Sequence, residues 1–394
     1  MDKRSRKTGP AGLMMFLIPV VSGALILAGC SSSGSSTSAA STSSASASAS
    51  GSTSASGSSQ VSAAAAITQK WINATATLST TAPLTSPAPT GKTFVWLNCE
   101  IPACTEIGQG LKEATALIGW KLKVIQYNQA NISALVPAMQ QALTYHPAGV
   151  ALSGLPQAVW QSEEAAYAKA GVPLIVGFVG PVTFSSTVIG NIGDGPNLVD
   201  YGTMMANWFI STSGGTGKAL NVHIDSLEIL KGISDSFDST VKSGCSGCSV
   251  TDLSSTLQDV ESGALNGQIV AALQRDPTIK YVVSPQGGFI AGLPAALAAA
   301  GLKNIKIAST GSSSANMADV NTGTETATIG GAFQVGGFEM IDIDLRHLEG
   351  MSVDPYDGGL PKKLIVQSSG ITPANDYPPI DPFISQFKAL WKVS

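Results

Sequence analysis

Charge is scarce in this chain: Asp, Glu, Lys and Arg make up 12% of its 394 residues, and the formal net charge is -4. A nucleic-acid binder needs clustered Lys and Arg to displace counterions from phosphate. The one basic cluster, Lys3, Arg4, Arg6 and Lys7, sits at the extreme amino end, so nucleic acid is not an expected partner. Histidine is rarer still. His146, His223 and His347 are the full set, and none stands at a metal-ligand spacing from the cysteines, so no metal is expected. No GxSxG elbow occurs, and no nucleophile can be paired with a base at the strand ends. Hence no catalytic residue is assigned, an enzyme is not expected, and no cofactor is called for. The stretch SGGTGK at 213–218 is glycine-rich, but its spacing is wrong for GxxxxGK[ST] and it leads into a strand instead of a helix. Also missing is an apolar run long enough to span a bilayer, since residues 13–28 are short and interrupted by Pro19.

What the amino end does have is a charged n-region, that apolar h-region, and Leu27, Ala28, Gly29 and Cys30 in succession. Residues 1–29 read as an export signal, and the small residues before Cys30 resemble a bacterial lipobox, in which the cysteine becomes the lipidated first residue. The expected location is the extracytoplasmic face of the cell membrane, with the chain lipid-anchored through Cys30. Residues 31–60 are almost wholly Ser, Ala, Thr and Gly, too polar to bury a core, and Pro83, Pro87 and Pro89 break regularity further on. Residues 30–90 therefore read as a Ser/Ala/Pro-rich tether. Within it, residues 61–78 carry a short helical pattern with Ile67, Trp71 and Leu78 toward the domain, and folded structure is expected to start at Lys92.

The other cysteines, Cys99, Cys104, Cys245 and Cys248, lie beyond the export signal, where an even count suits disulfides. Cys245 and Cys248 suit a surface-loop staple, and Cys99 with Cys104 a closure of the loop after the first strand. A CxxC also serves redox chemistry or half a zinc site. Against redox, the CxxC follows a helix end, whereas a catalytic thiol gains acidity at a helix start.

From Lys92 onward the chain alternates short apolar strands with amphipathic helices. KTFVWLNCEIPACTEIGQGLKEATALIGW at 92–120 gives a strand, a turn at Pro102, and a helix with Leu111, Ala114, Leu117 and Ile118 on one face. KLKVIQY, GVALS, VPLIVGFVG and STVIGNIG continue the strands. After a helix from Asn197 the pattern restarts with KALNVHI, IKYVVS and IKIAST. Strands alternating with helices imply right-handed crossovers and parallel sheets. Two successive α/β halves imply two lobes. Glu163, Glu164, Asp342 and Asp344 read as exposed helix faces.

The order "HPAGVALSG", "AKAGVPLIVGF", "SDSFDSTV", "DPTIKYVVSPQGGFIAGLPAALAAAGLKNIKIASTG" and "TETATIGGAF" resembles a type I periplasmic solute-binding protein of the ribose-binding group, from about Gly91 to Val366. That resemblance implies two Rossmann-like lobes with parallel sheets, joined by a three-crossover hinge and closing on a solute. It places the lobes at 91–191 with 332–364 and at 192–331 with 365–394. The crossovers fall near Ile189 to Asp194, Gly330 to Phe333, and Leu364 to Ser368. The implied role is that of an ABC transporter substrate-binding lipoprotein feeding a permease, or else a receptor domain feeding a membrane signalling protein.

Carried across residue by residue, the resemblance replaces the sugar binders' first-strand Asn and aromatics with Ile101, Ala103 and Cys104, and their Asp-Arg pair with Phe178 and Val179. Lys231 stands for their Arg, Gln286 for their Asn, Thr310 for their Asp, and Gly331 for their hinge Gln. The expected ligand-binding set is Glu100, Ile101, Trp160, Phe178, Glu228, Lys231, Gln286, Phe289, Thr310 and Phe333. Such a set suits a sugar held by stacking, or a less hydroxylated, aromatic or amine-bearing solute.

Overall fold

The computed structural model describes residues 51–75, 78, 82–193, 195–353, 360–370 and 383–394. The expected signal peptide, Cys30 and the tether up to residue 50 lie outside the described residues. The first lobe holds β1 (Thr93–Cys99), α2 (Pro102–Leu117), β2 (Lys121–Tyr127), α3 (Leu135–Leu143), β3 (Gly149–Ser153), α4 (Gln157–Trp160), α5 (Glu164–Ala170), β4 (Leu174–Gly177) and β5 (Val188–Ile192), after an amino-terminal helix α1 (Gly51–Ile72). Its five strands are all parallel, in the order β2-β1-β3-β4-β5. Every residue of β3, β4 and β5 is buried, as strands covered by helices on both faces require.

The second lobe repeats that scheme. It comprises α6 (Gly195–Thr212), β6 (Lys218–His223), α7 (Glu228–Gly244), β7 (Ser249–Ser254), α8 (Leu257–Glu261), α9 (Ala264–Arg275), β8 (Tyr281–Ser284), α10 (Leu293–Ala299), β9 (Lys306–Ser312), α11 (Ser314–Thr322) and β10 (Ala327–Gly330). The sheet runs β7-β6-β8-β9-β10 in parallel, and β11 (Leu364–Val366) adds an antiparallel edge beside β10. In both lobes the strand order reverses between the first and third strands. Open α/β sheets bind ligands in the crevice outside the carboxyl ends at that point. The rule directs attention to the ends of β1 and β3 in one lobe and of β6 and β8 in the other.

The helix α12 (Phe333–Leu348) returns to the first lobe and packs against α2, β4 and β5. Its backbone touches that of α2: a Cβ on Gly110 would lie 2.0 Å from the Gln334 carbonyl oxygen, and one on Gly337 would lie 2.5 Å from that of Ile107. The second lobe uses the same device, with a Cβ on Gly202 of α6 falling 2.1 Å from the Ile233 carbonyl of α7. Because α12 is enclosed on nearly every side, Asp342 and Asp344 are fully buried, contrary to the exposed faces expected of them. Asp342 accepts from Arg346 Nε at 2.5 Å and from the Trp391 indole at 2.6 Å. Asp344 has no hydrogen-bond partner, and burial pushes its carboxyl up to about 7. Glu163 is also buried.

The boundaries of the tether and of the carboxyl-terminal segment differ from expectation. α1 runs the whole of Gly51–Ile72 and packs on α6 and β11 of the second lobe, with Thr68 Oγ1 3.4 Å from Ser211 Oγ. Ala64 and Thr68 face inward, while Ile67 is exposed, so the buried stripe lies one residue round from the one expected. Residues 82–90 do not hang free either. Leu84 is buried, its N–H donates to the Leu390 carbonyl at 2.8 Å, and the Glu349 carboxylate accepts from the backbone N–H groups of Thr85 and Ser86. Their neighbour is α13 (Phe383–Trp391), assigned from sequence to the second lobe. It packs instead on α12 of the first, with the Trp391 ring stacked on Phe338 at 5.8 Å.

Candidate functional site

The loops at the switch points of both lobes meet at one cavity of about 60 Å³. Its first-lobe wall comes from the turn and helix after β1 (Ile101, Ala103, Cys104, Ile107), from Gln129 just past β2, from Ser153 and Gly154 at the end of β3, and from Phe178 after β4. The second lobe supplies Leu198 and Tyr201 of α6, Leu227, Ile229, Leu230 and Ile233 at the start of α7, Pro285, Gln286 and Phe289 after β8, and Thr310 with Gly311 at the end of β9. Phe333 closes the floor from the first turn of α12. None of these residues carries a formal charge.

Local chemistry fixes the polar members. Thr310 Oγ1 donates to the Pro285 carbonyl at 2.6 Å, and Gln286 Oε1 accepts from the Gly288 N–H at 3.2 Å. The Gly288 loop is braced from behind: Asn316 Nδ2 donates to the Gly287 carbonyl and to the Glu325 carboxylate at 3.0 Å, and the Ser309 hydroxyl donates to the same carboxylate. Burial pushes Glu325 up to about 8. Gln129 differs in kind. Its side chain is 2% exposed, yet neither the amide nitrogen nor the amide oxygen has a partner. The Tyr201 hydroxyl, on the opposite lobe, is likewise buried without one. Buried polar groups left unpaired cost about 1–3 kcal/mol each, so three such atoms on residues that line one cavity are candidates for hydrogen bonds to a solute once the lobes part. Gly154, with φ +80°, permits this: a Cβ there would lie 2.3 Å from the Gln129 amide nitrogen.

Two aromatic rings seal the hinge side. Phe178 and Phe333 meet edge to face at 5.1 Å. Phe178 itself (φ 55°) and Ala332 just before Phe333 (φ 45°) hold left-handed backbone conformations that non-glycine residues seldom adopt. Next to them, a Cβ on Gly193 would come 3.0 Å from the Phe178 ring, and one on Gly331 2.6 Å from Phe333. Both glycines stand in crossovers. Away from the cavity the lobes also touch, where Asn128 donates to Glu261 at 3.3 Å and Pro102 lies against Gly288.

Of the residues singled out from sequence, Ile101, Phe178, Gln286, Phe289, Thr310 and Phe333 line this cavity. Glu100, Trp160, Glu228 and Lys231 do not. Glu100 points outward, exposed. Trp160 is fully buried in the first lobe, its indole donating to the Leu155 carbonyl at 3.1 Å. On α7, the inward stripe is Ile229, Leu230, Ile233 and Phe237, which leaves Glu228 and Lys231 on the outer face; Lys231 pairs there with Asp235. The Glu228 carboxylate reaches across to Gly180 of the first lobe, two residues past Phe178. Gln129 and Tyr201 were missed. Gln129 obeys the strand-end rule, two residues past β2, whereas Tyr201 belongs to an apolar helical stripe that reads as core.

Cys99 and Cys104 form a disulfide with Cα atoms 5.6 Å apart, which pins the turn carrying Ile101 to the first turn of α2. Cys245 and Cys248 form another beyond the end of α7. His223, ending β6, is buried against α7, with Nε2 3.1 Å from Asp238 and 3.7 Å from Asp252, and Nδ1 3.6 Å from Asp225. The hydrogen bond to Asp238, with the nearby carboxylates, raises its pKa despite its burial.

Two repeated α/β lobes with a shared cavity between their switch points define a bilobed solute receptor. The family described as periplasmic binding protein domain matches residues 93–351, well over half of the chain, and the chain belongs to it. It is therefore a binding protein of the periplasmic solute-binding family and not an enzyme. Among solved structures, an ABC sugar transporter subunit from Rhodobacter sphaeroides shares 16% identity at a TM-score of 0.61, over 71% of this chain and 99% of its own. A solute-binding protein from Agrobacterium vitis bound with alpha-D-tagatopyranose shares 18% at 0.61, over 75% and 99%. The XylFII–LytSN complex shares 16% at 0.61, over 71% and 100%. No curated protein matches the chain. Among the described residues, no helix is long and apolar enough to cross a membrane.

Proposed function

We propose that this protein captures a small organic solute between its lobes and presents it to an ABC permease, held near the membrane by a lipid on Cys30. The observation that carries the reading is one cavity walled by the strand-end loops of both lobes, with buried, unpartnered polar groups on a lining residue from each, Gln129 and Tyr201. Only the closed arrangement offers both to the same molecule, so a solute binds that form more tightly and shifts the hinge equilibrium toward it. The cavity is smaller than the roughly 150 Å³ that seats a benzene ring, so entry of a solute of that size requires the lobes to part. Ile101, Phe178, Gln286, Phe289, Thr310 and Phe333 complete the contact set.

A thermal-shift panel of pentoses, hexoses, polyols, amino acids, aromatic acids and uncharged amides on the full chain tests this. A true ligand at about 100 times its Kd adds about 2.7 kcal/mol. A saturating ligand that leaves the radius of gyration of the protein unchanged in solution scattering would refute the clamp. Metabolic labelling with palmitate tests the anchor, which predicts loss of label in Cys30→Ser.

A second reading is favoured by the likeness to the XylFII–LytSN complex: the liganded form docks on a membrane signalling protein instead of a permease. Solute uptake into vesicles holding an ABC permease, dependent on added protein, separates the two.

A further inference from the structure

The cavity selects a narrower class of solute than its family does, and this rests on the receptor reading above. We infer that the solute is uncharged and largely apolar, with a donor and an acceptor side by side on one edge, as in an amide, lactam or urea. Three observations carry this. First, no lining residue is charged. A carboxylate or ammonium group enclosed here has no counterion and keeps its full desolvation cost. Second, the side-chain amide and hydroxyl atoms without partners on the lining residues are few: the enclosed amide nitrogen and oxygen of Gln129, the enclosed hydroxyl of Tyr201, and the amide nitrogen of Gln286. A carboxamide pairs with another amide edge through one donated and one accepted hydrogen bond, and the phenol adds a third. The Thr310 hydroxyl proton and the Gln286 amide oxygen are already engaged. A pyranose presents four or five hydroxyls, and each one left unpaired weakens binding by roughly five- to a hundredfold. Third, the remaining surface is aliphatic or aromatic, with Ile101, Ile107, Phe178, Leu230, Phe289 and Phe333 facing inward. Such walls reward a ring and give a hydroxyl nothing.

Glu228 and Lys231, the charged groups on the nearest helix, do not alter this. Lys231 is paired with Asp235, and Glu228, beside Gly180, is not among the lining residues.

Calorimetric titration of the full-length protein with benzamide, nicotinamide and 2-piperidone, against benzoate, D-ribose and D-glucose, tests the inference. The neutral amides are expected to bind, with benzoate at least a hundredfold weaker than benzamide and neither sugar measurable. Gln129→Leu should weaken the amides at least tenfold and Tyr201→Phe about fivefold. The inference is overturned if none of the three amides binds, if benzoate equals benzamide, or if Gln129→Leu leaves amide affinity unchanged. Binding of D-ribose or D-glucose that Gln129→Leu weakens overturns the solute class while leaving the cleft as the receptor site. Failure of the receptor reading itself would show differently, as a bound solute that does not compact the protein.

Discussion

Gln129 should be a residue that function retains at the expense of the fold. The residue is 2% exposed and both amide atoms are unpaired, so the folded protein carries a desolvation cost that the unfolded chain avoids. For a buried, unpaired amide that cost is about 1–3 kcal/mol by mutational measures. Leucine has a similar volume and no polar atom, and the space over Gly154 that admits Gln129 admits it too. Gln129→Leu should therefore raise the unfolding free energy by about 1–3 kcal/mol. At a urea m-value of about 3 kcal/mol/M this moves the midpoint up by roughly 0.3–1 M. Trp160→Phe is the natural contrast. The Trp160 indole is paired, donating to the Leu155 carbonyl at 3.1 Å in the same lobe. Removing it orphans that acceptor and should lower the midpoint by a comparable amount. Urea unfolding of the two variants beside the parent reads both signs. A lower midpoint for Gln129→Leu would show that its amide is satisfied in the folded protein, and would remove the basis for treating it as a ligand contact.

The glycine contact between α6 and α7 should tolerate no side chain: a methyl at Gly202 overlaps the Ile233 carbonyl, so Gly202→Ala should cost about 3 kcal/mol or more in chemical denaturation, and a neutral result would contradict the packing. Trp391→Ala should cost about 3–5 kcal/mol through its lost stacking on Phe338 and its lost bond to Asp342. It should also expose residues 82–90 to limited proteolysis, and unchanged cleavage there would argue against their docking on α13. His223 titrates higher in the folded protein than in the unfolded chain, because Asp238, Asp252 and Asp225 favour its charged form. Its contribution is thus fully present below the unfolded value of about 6.5 and is lost as pH rises through the higher folded value. The fall in urea midpoint over that window should flatten in His223→Gln, and an unaltered profile would exclude this histidine as its cause.

Strands were legible wherever the chain buries both faces of a sheet, because GVALS and IKYVVS admit no amphipathic alternative. The second-lobe start was legible because KALNVHI repeats the composition of the first strands. Helix faces were harder to orient. Lys231 was assigned inward by resemblance, although Ile229, Leu230, Ile233, Phe237 and Val241 already marked the buried side of α7 and left Lys231 opposite. Asp342 and Asp344 read as solvated because two nearby carboxylates normally are. Packing explains their burial: Trp391 of α13 covers Asp342, and Asp344 lies against Gly149 at the start of β3. In the site, the resemblance supplied Ile101, Phe178, Gln286 and Thr310, which all fall at strand ends, and the same position after β2 is that of Gln129. Tyr201 lay beyond any such rule, since a tyrosine in an apolar stripe shows its unpaired hydroxyl only once its neighbours are in place. Residues 51–75 and 82–90 failed for another reason: their polar composition removes the signal of a core, and they are held by surfaces on other parts of the chain.

Those docked amino-terminal residues change how the jaws can move. The chain passes between lobes not only from β5 to α6, from β10 to α12 and from α12 to β11, but also between α1 and residue 82, and again between β11 and α13. Two of these crossings, at Gly193 and Gly331, lie against the rings of Phe178 and Phe333, so bending about the line of those rings is the motion expected. A receptor rigged in this way should open along one arc only.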